Sequence, residues 1–221
     1  MSWDKATAEI EIRKFFKTHG VSAKKATASV SSGKVYELYC LVELLDWIKT
    51  RYRAHIVFNG ATVDFKASPG FVDRSRSYFS VIAGGKTLEV HTDIEVRTLG
   101  STISGAVIDN SAYHEIDIVV IPANVVDGSS PEHDEVLVGV ECKSSANLGK
   151  SVIRQVLGVR RELSLLSPPQ DCAIDVYFGH SPAQLPANPP SHYWLAHTDT
   201  GASKYEGSPR AFGVEFKNWS P

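Results

Sequence analysis

Two acids and a lysine lie in two consecutive apolar segments of this 221-residue chain, Asp117 in the first and Glu141 with Lys143 in the second. Successive side chains of a strand point to opposite faces, so Glu141 and Lys143 share a face while Cys142 points into the core. Charges inside an apolar strand are costly unless they serve each other, a metal or a substrate. Two carboxylates and the Cys142 backbone carbonyl are oxygen ligands of the kind that Mg²⁺ or Mn²⁺ prefers, and a lysine can orient water or neutralise phosphate charge. This pattern predicts a metal site for phosphodiester chemistry.

The tripeptide of an acid, any residue and a lysine is not informative by itself. It occurs three times, at Asp64–Lys66, Glu141–Lys143 and Glu215–Lys217. With 25 acids and 13 lysines in 221 positions, chance gives about 1.5 occurrences. The context favours Glu141–Lys143, because an apolar strand that carries an acid precedes it and a helix follows it.

Glu37 is a third acid in an unexpected place. On a helix predicted over residues 32–51, it projects between Leu44 and Ile48, inside the apolar stripe. A carboxylate on a buried face needs a partner. That partner is either a neighbouring lysine or arginine in a salt bridge, or a metal that Glu37 binds directly or through water.

The order of these residues resembles that of the PD-(D/E)XK nuclease superfamily, which has the restriction-endonuclease-like fold. In that family a glutamate on the first core helix, an aspartate on the second core strand and an E-x-K motif on the third converge on one metal site. The matching positions here are Glu37, Asp117, Glu141 and Lys143. The resemblance covers roughly residues 32 to 178. The chain departs from the family pattern at Ile116, where a proline is often found, and in the long segment between the first two core strands.

The resemblance implies a Mg²⁺-dependent nuclease that leaves 5′-phosphate products, with DNA as the expected substrate. It also implies a setting in prokaryotic restriction, repair or antiviral defence, with a homo-oligomer or defence-system proteins as partners. Some branches carry a glutamine on the helix after the E-x-K motif, and Gln155 matches it. A solvated helix position is the alternative for Gln155.

Two other functions remain open at this point. A nucleic-acid-binding or scaffolding domain with an inactive nuclease-like site would use basic residues, for which the candidates are Lys150, Arg154 and Arg161 on one helix face and Arg74 and Arg76 in a loop. A nucleotide-binding protein is the second alternative, because the segment 144–151 nearly spells a phosphate-binding P-loop. Ser144 stands where the first glycine of that motif should be.

The whole chain is nearly neutral, with a net charge of −2 and a pI near 6.4, so any nucleic-acid contact must come from a local basic patch. The three cysteines, Cys40, Cys142 and Cys172, are widely spaced, which favours reduced thiols over a disulfide framework or a zinc site. No signal peptide or apolar run of membrane-spanning length is present in the sequence. We therefore expect a soluble, cytoplasmic protein that does not contact a membrane.

The pattern of elements predicts an α/β (α+β) fold with a restriction-endonuclease-like core, in which helices flank a mixed central sheet. We expect one nuclease-like domain over residues 1–221. It has an N-terminal helical cover (1–31), a core (32–178) with a β-rich insertion at about 60–112 between the first and second core strands, and a C-terminal β extension (179–221). Further expected elements are helices at 4–19 and 150–166, a strand at 172–178, and a proline-rich loop leading to edge strands at 193–195 and 212–216.

Overall fold

The computed structural model describes residues 3–24, 31–66, 68–105 and 108–221. The parts of the expected N-terminal cover at 1–2 and 25–30 lie outside the described residues. The same holds for positions 67 and 106–107 of the expected insertion. Within the described ranges, no helix is long and apolar enough to cross a membrane.

The described part of the chain contains helices and strands whose lengths differ widely. The helices are α1 (Lys5–Thr18), α2 (Ser32–Tyr52), α3 (Leu99–Ser104), α4 (Lys150–Leu163), α5 (Ala173–Phe178) and α6 (Gly207–Ala211). The strands are β1 (His55–Asn59), β2 (Tyr78–Ala83), β3 (Lys86–Arg97), β4 (Tyr113–Pro122), β5 (Val138–Lys143), β6 (Leu165–Asp171), β7 (Gln184–Asn188), β8 (His192–His197) and β9 (Val214–Asn218).

Seven strands form one mixed central sheet in the order β1-β2-β3-β4-β5-β8-β9. The first five are antiparallel neighbours, whereas β5, β8 and β9 are parallel. The connection from β5 to β8 contains α4, as parallel pairing requires a crossover. The strands of the segment 60–112, β2 and β3, belong to this sheet, and β8 and β9 of the segment 179–221 complete it.

Helices cover both faces of the sheet. Residues of α1 and α2 pack with Val138, Val140 and Cys142 in one apolar cluster. Residues of α4 pack with Val119 and other β4 side chains in a second cluster on the opposite face. Alternate residues of β5 therefore enter the first cluster, as period-two strand geometry requires. This alternation leaves Glu141 and Lys143 on the face of α4, and confirms that Cys142 belongs to the core.

The two N-terminal helices begin and end where their sequences predict. The Asp4 carboxylate accepts a hydrogen bond from the Ala6 N–H at 3.0 Å, and Gly20 follows α1 with a φ of 76°. Ser31 caps α2 through a bond from the Lys34 N–H at 3.2 Å. The buried residues of α1 are Ala8, Ile12 and Phe16, whereas Ile10 is 64% exposed.

The strand expected at 172–178 is wrong, because Ala173–Phe178 forms helix α5. Apolar residues at every second position suggested a strand, and six residues are too few to display a helical period. The buried residues of α5 are Ile174, Asp175 and Phe178, a helical spacing. Gly179, with a φ of 72°, ends the helix in the left-handed conformation.

The segment before and after α5 also differs from expectation. Helix α4 ends at Leu163, and β6 carries the two prolines at an irregularity in its pairing with β7. The segment expected to be a proline-rich loop also contains a strand, β7, which pairs with β6. Strand β8, expected at an edge, is buried along its whole length between β5 and β9 and is a central strand, whereas β9 lies at an edge of the sheet as expected.

Helix α4 is anchored to the C-terminal part of the chain by a buried arginine. Arg160 is 2% exposed, and its guanidinium donates to the Phe212 carbonyl at 3.1 Å and to the Ser191 hydroxyl at 3.1 Å. A charged group this deeply buried needs such partners. The contacts fix one side of α4 against the segments that lead into β8 and β9.

Candidate active site

A cleft of about 520 Å³ lies between helix α4 and the adjacent ends of β4 and β5. Its lining residues are His114, Glu115, Asp117, Glu141, Lys143, Arg154, Gln155, Gly158, Val159 and Glu162. The structure thus brings together both predicted strand acids, the lysine and the predicted glutamine. The cleft is rich in charged groups, as a site for a charged ligand should be.

Asp117 and Glu141 become neighbours because the ladder between their strands ends just before them. The last paired residues of β4 and β5 are Ile118 and Val140, so the next residues outward are Asp117 and Glu141. Asp117 Oδ2 accepts a hydrogen bond from the Cys142 N–H at 2.7 Å. The Cys142 N–H thus bonds to a side-chain carboxylate and not to a backbone carbonyl of β4, because the ladder has ended. The bond holds the Asp117 side chain against β5.

Lys143 extends from the same strand face as Glu141. Its Nζ lies 3.4 Å from Glu141 Oε2, and its side chain is 27% exposed whereas that of Glu141 is 5% exposed. Burial lowers the pKa of Lys143, but the carboxylates of Glu141 and Asp117 outweigh it, so the net pKa is raised. Lys143 is therefore a charged ammonium group at neutral pH, half-buried at the wall of the cleft.

The acids of the site hold their protons unusually well. Burial, together with the charge of Asp117, raises the pKa of Glu141 to about 7. Burial also raises the pKa of Asp117, against the hydrogen bond from Cys142 and the charge of Lys143. The pKa of Glu115 is raised by burial and by Asp117. Such a group of crowded carboxylates has an excess of negative charge that a cation would relieve.

Glu37 is next to this group but does not line the cleft. Its Oε2 lies 2.5 Å from Lys34 Nζ, so it forms the salt bridge that was one of its two expected roles. Burial raises the pKa of Glu37 to about 7, the Lys34 ammonium lowers it, and the charges of Asp117 and Asp93 raise it further. A metal-binding role for Glu37 stays a prediction.

Asp93 is an acid of this region that sequence reasoning missed. It lies in β3 between Thr92, which pairs with Ile118, and Ile94, which pairs with Ile116, so it is level with Asp117 on the adjacent strand. Both of its carboxylate oxygens are 2.6 Å from Lys34 Nζ, and it is 3% exposed.

The strand pattern of the sequence is interrupted near Asp93, but the interruption suggested a break between two strands and not a functional residue. In the sequence, two alternating runs at 87–90 and 94–97 are separated by His91, Thr92 and Asp93, a pattern typical of two short strands with a break between them. The structure has one strand of 12 residues, in which Asp93 adopts a φ of 53°. Aspartate is among the few residues that tolerate this conformation, and such backbone strain is common at functional sites.

The predicted basic contacts are only partly at the cleft. Arg154 lines it, while Lys150 and Arg161 are exposed elsewhere on α4. Arg74 is engaged by Glu89 and by the carbonyls of Ala123 and Val125, and Arg76 pairs with Asp64. Their roles in nucleic-acid binding stay predictions. In the near P-loop segment, the Leu148 N–H donates to Asp199 Oδ2 at 2.8 Å, so an acid already occupies a position that a phosphate would need.

The raised pKa of Glu141 predicts a distinctive pH dependence of stability. The folded protein holds this proton up to about pH 7, above the ordinary value of 4.5, so stability falls as pH rises through that window. Glu141→Gln removes this loss. At each pH the free energy of unfolding of the variant is compared with that of the unaltered protein. Between pH 5 and pH 8 this difference should shift in favour of the variant by about 1 to 3 kcal/mol. The measurement is urea denaturation without added metal.

A matched control for this measurement is Glu89→Gln. Glu89 is 5% exposed on β3, but Arg74 and His91 hold its pKa below its ordinary value against the opposing effect of burial. Its stabilising effect is therefore present throughout pH 5 to 8 and is lost only at lower pH. Glu89→Gln should be less stable than the unaltered protein, and by a similar amount at pH 5 and at pH 8. If the difference in free energy of unfolding between Glu141→Gln and the unaltered protein is the same at pH 5 and pH 8, the pKa of Glu141 is not raised.

Comparison with known proteins gave weak similarity only. No protein-family model matches the chain, and no curated protein matches it. Among solved structures, P. aeruginosa ATCC27853 NucC in a cAAA-bound form has 14% identity and a TM-score of 0.33, covering 96% of this chain and 71% of that one. E. coli MS115-1 NucC, also cAAA-bound, has 16% identity and a TM-score of 0.33, covering 96% and 70%. Similarity at this level carries no argument about function.

Proposed function

We propose that this protein is a metal-dependent nuclease that hydrolyses phosphodiester bonds of nucleic acid, with DNA as the expected substrate. The observation that carries the proposal is the meeting of Asp117, Glu141 and Lys143 in one cleft. Two neighbouring carboxylates can hold a divalent metal and a lysine can supply positive charge beside it, a combination suited to metal-assisted phosphodiester hydrolysis. Their positions in β4 and β5, ahead of helix α4, follow the order of the family that the sequence resembles.

The residues present fit a divalent cation with oxygen ligands. Asp117 and Glu141 supply carboxylates, and the Cys142 carbonyl is the predicted further ligand. Five acids, Asp93, Glu37, Glu115, Asp117 and Glu141, lie close enough to affect one another electrostatically. Lys34 pairs with Glu37 and Asp93, and Lys143 pairs with Glu141. This excess of negative charge favours Mg²⁺ or Mn²⁺, which keep several waters when bound to one or two carboxylates. When bound, the ion would neutralise charge on the phosphate and on the leaving oxygen.

The remaining groups of the cleft have roles in substrate positioning. The Lys143 ammonium would orient the attacking water and stabilise charge that develops on the phosphate oxygens. Arg154 and Gln155 face the lysine across the cleft from helix α4. The arginine can pair with a neighbouring phosphate of the backbone, and the glutamine can donate hydrogen bonds from its amide.

Cleavage assays test the proposal directly. Purified protein is incubated with plasmid, linear and single-stranded DNA and with RNA, in Mg²⁺, Mn²⁺ or EDTA. We expect cleavage of at least one substrate with either metal and none in EDTA. If the protein binds nucleic acid but cleaves nothing in any of these conditions, it is a binding or scaffolding domain with an inactive site. Restriction, repair or antiviral defence is the setting we propose for the activity.

A further inference from the structure

We propose that Cys172, Asp175 and His192 form a second metal site, which binds zinc and is separate from the cleft. One ligand atom from each of these residues lies within 4.8 Å of the other two. Their exposed fractions are 0%, 0% and 5%. Cys172 lies between β6 and α5, Asp175 within α5, and His192 begins β8. In the described part of the chain, this is the one set of three potential metal-ligating side chains whose atoms meet so closely.

The imidazole of His192 is arranged as a metal ligand would be. Its Nδ1 lies 2.9 Å from Glu215 Oε1. Its Nε2 is buried and makes no well-formed hydrogen bond to the described residues, and the Cys172 thiol is the neighbour that interacts with the ring. A thiol is a weak hydrogen-bonding group, so a buried nitrogen with no other partner costs free energy. Histidines that bind a metal through one nitrogen usually donate the other N–H to a carboxylate. Glu215 supplies that carboxylate, so Nε2 is left for an ion beside the Cys172 sulfur.

The carboxylate of Asp175 has capacity for a further ligand. Its Oδ1 accepts hydrogen bonds from Arg51 at 2.7 Å and from the Tyr52 hydroxyl at 2.8 Å. Its Oδ2 accepts one bond, from the Ala183 N–H at 2.8 Å. An ionised carboxylate oxygen offers about two acceptor positions, so Oδ2 retains one. The contacts of Oδ1 hold the group in place, as is usual for carboxylates that bind metals.

The combination of donors selects the class of metal. A sulfur, an imidazole nitrogen and a carboxylate oxygen suit zinc, whereas Mg²⁺ prefers oxygen ligands alone. With the thiol deprotonated, Cys172 adds a negative charge beside Asp175, whose own charge is shared with Arg51. The fourth position of a tetrahedral site would fall to water, and His192 borders a cavity of about 650 Å³ from which water can reach it.

Cobalt substitution gives a direct test on the full chain. Protein stripped with a chelator and then dialysed is titrated with Co²⁺ under reducing conditions and without oxygen. We expect one equivalent to bind with an absorption band from thiolate-to-cobalt charge transfer, and Zn²⁺ to displace it. Mg²⁺ should not displace it, which separates this site from the cleft. Absence of a thiolate band would overturn the proposal, whether or not the protein cleaves DNA.

Variants identify the ligands. Cys172→Ala and His192→Gln should lose the band and weaken Zn²⁺ binding by at least about 100-fold, and Glu215→Gln should weaken it by about 10- to 100-fold. Cys40→Ser is the matched control, because Cys40 is also a fully buried free thiol. It should keep full binding, as should Asp117→Asn. If the Cys172 variant fails to fold, the intact protein still decides the matter, since Zn²⁺ should raise its melting temperature and Cys40→Ser should retain that rise. Retention of the band in folded Cys172→Ala would overturn the assignment.

Discussion

Asp117→Asn is expected to lower metal-dependent DNA cleavage by about 1,000-fold or more. The metal supplies several kcal/mol of charge stabilisation in such reactions, and each 1.36 kcal/mol corresponds to a factor of ten in rate. An asparagine can still accept the bond from the Cys142 N–H, which is 2.7 Å from Asp117 Oδ2. The substitution should therefore remove charge and metal affinity while the strands keep their pairing.

The measurement combines cleavage rates with Mn²⁺ binding by calorimetry. The asparagine variant should lose both the activity and the binding at the cleft. Asp199→Asn is the matched control, since Asp199 is also a buried aspartate whose Oδ2 accepts a backbone N–H at 2.8 Å, from Leu148. It should retain metal binding and activity. Equal losses in the two variants would mean that Asp117 has only a structural role.

Lys143→Ala is expected to lower the rate of cleavage by about 100- to 1,000-fold, with metal binding retained. Removal of one group that stabilises charge in the transition state typically has an effect of this size. Lys143 is the cationic group nearest to Glu141, at 3.4 Å. Without the ammonium, the carboxylates should bind Mn²⁺ as well as before or more tightly, because a competing positive charge is removed. The loss should therefore appear in kcat rather than in metal affinity.

The chain contains a close control for this second prediction. Lys217 follows an acid in the same tripeptide pattern, lies 2.9 Å from Glu215, and has the same exposed side-chain fraction of 27% as Lys143. It belongs to the edge strand β9 and does not line the cleft. Lys217→Ala should cleave DNA at the unaltered rate. Full activity in Lys143→Ala would exclude the proposed role of that lysine.

Regular strand geometry explains which parts of the site were predictable. Glu141 and Lys143 lie two residues apart on one strand, so their shared face follows from residue spacing alone. Asp117 lies on another strand, and its place beside them was expected from the family resemblance and not from spacing. Gln155, which was identified by its match to the family pattern, lines the cleft, and its role there stays a prediction. By contrast, Asp93 adopts a left-handed conformation inside a strand, and no sequence period reports such an exception.

The proposed zinc site illustrates a second reason for failure. The cysteines were predicted to be reduced thiols, without a disulfide framework or a zinc site, because they are far apart in the sequence; all three are free thiols in the structure. Cys172 and His192 meet only because α5 and strand β7 intervene between them and turn the chain back. The segment 172–178 was expected to be a strand, which would have pointed Asp175 and Ile174 in opposite directions. An error in one short element therefore concealed the cluster.

The two walls of the cleft are held in place by different parts of the chain, and Arg160 holds one of them. The strand wall belongs to the middle of the sheet, whereas the helix wall is held by hydrogen bonds from Arg160 to Ser191 and Phe212. Ser191 directly precedes His192. Helix α4 cannot tilt outward to widen the cleft unless these bonds break or the start of β8 moves with it. The width of the cleft, and so the size of the ligand that it can admit, is set in part by the C-terminal segment.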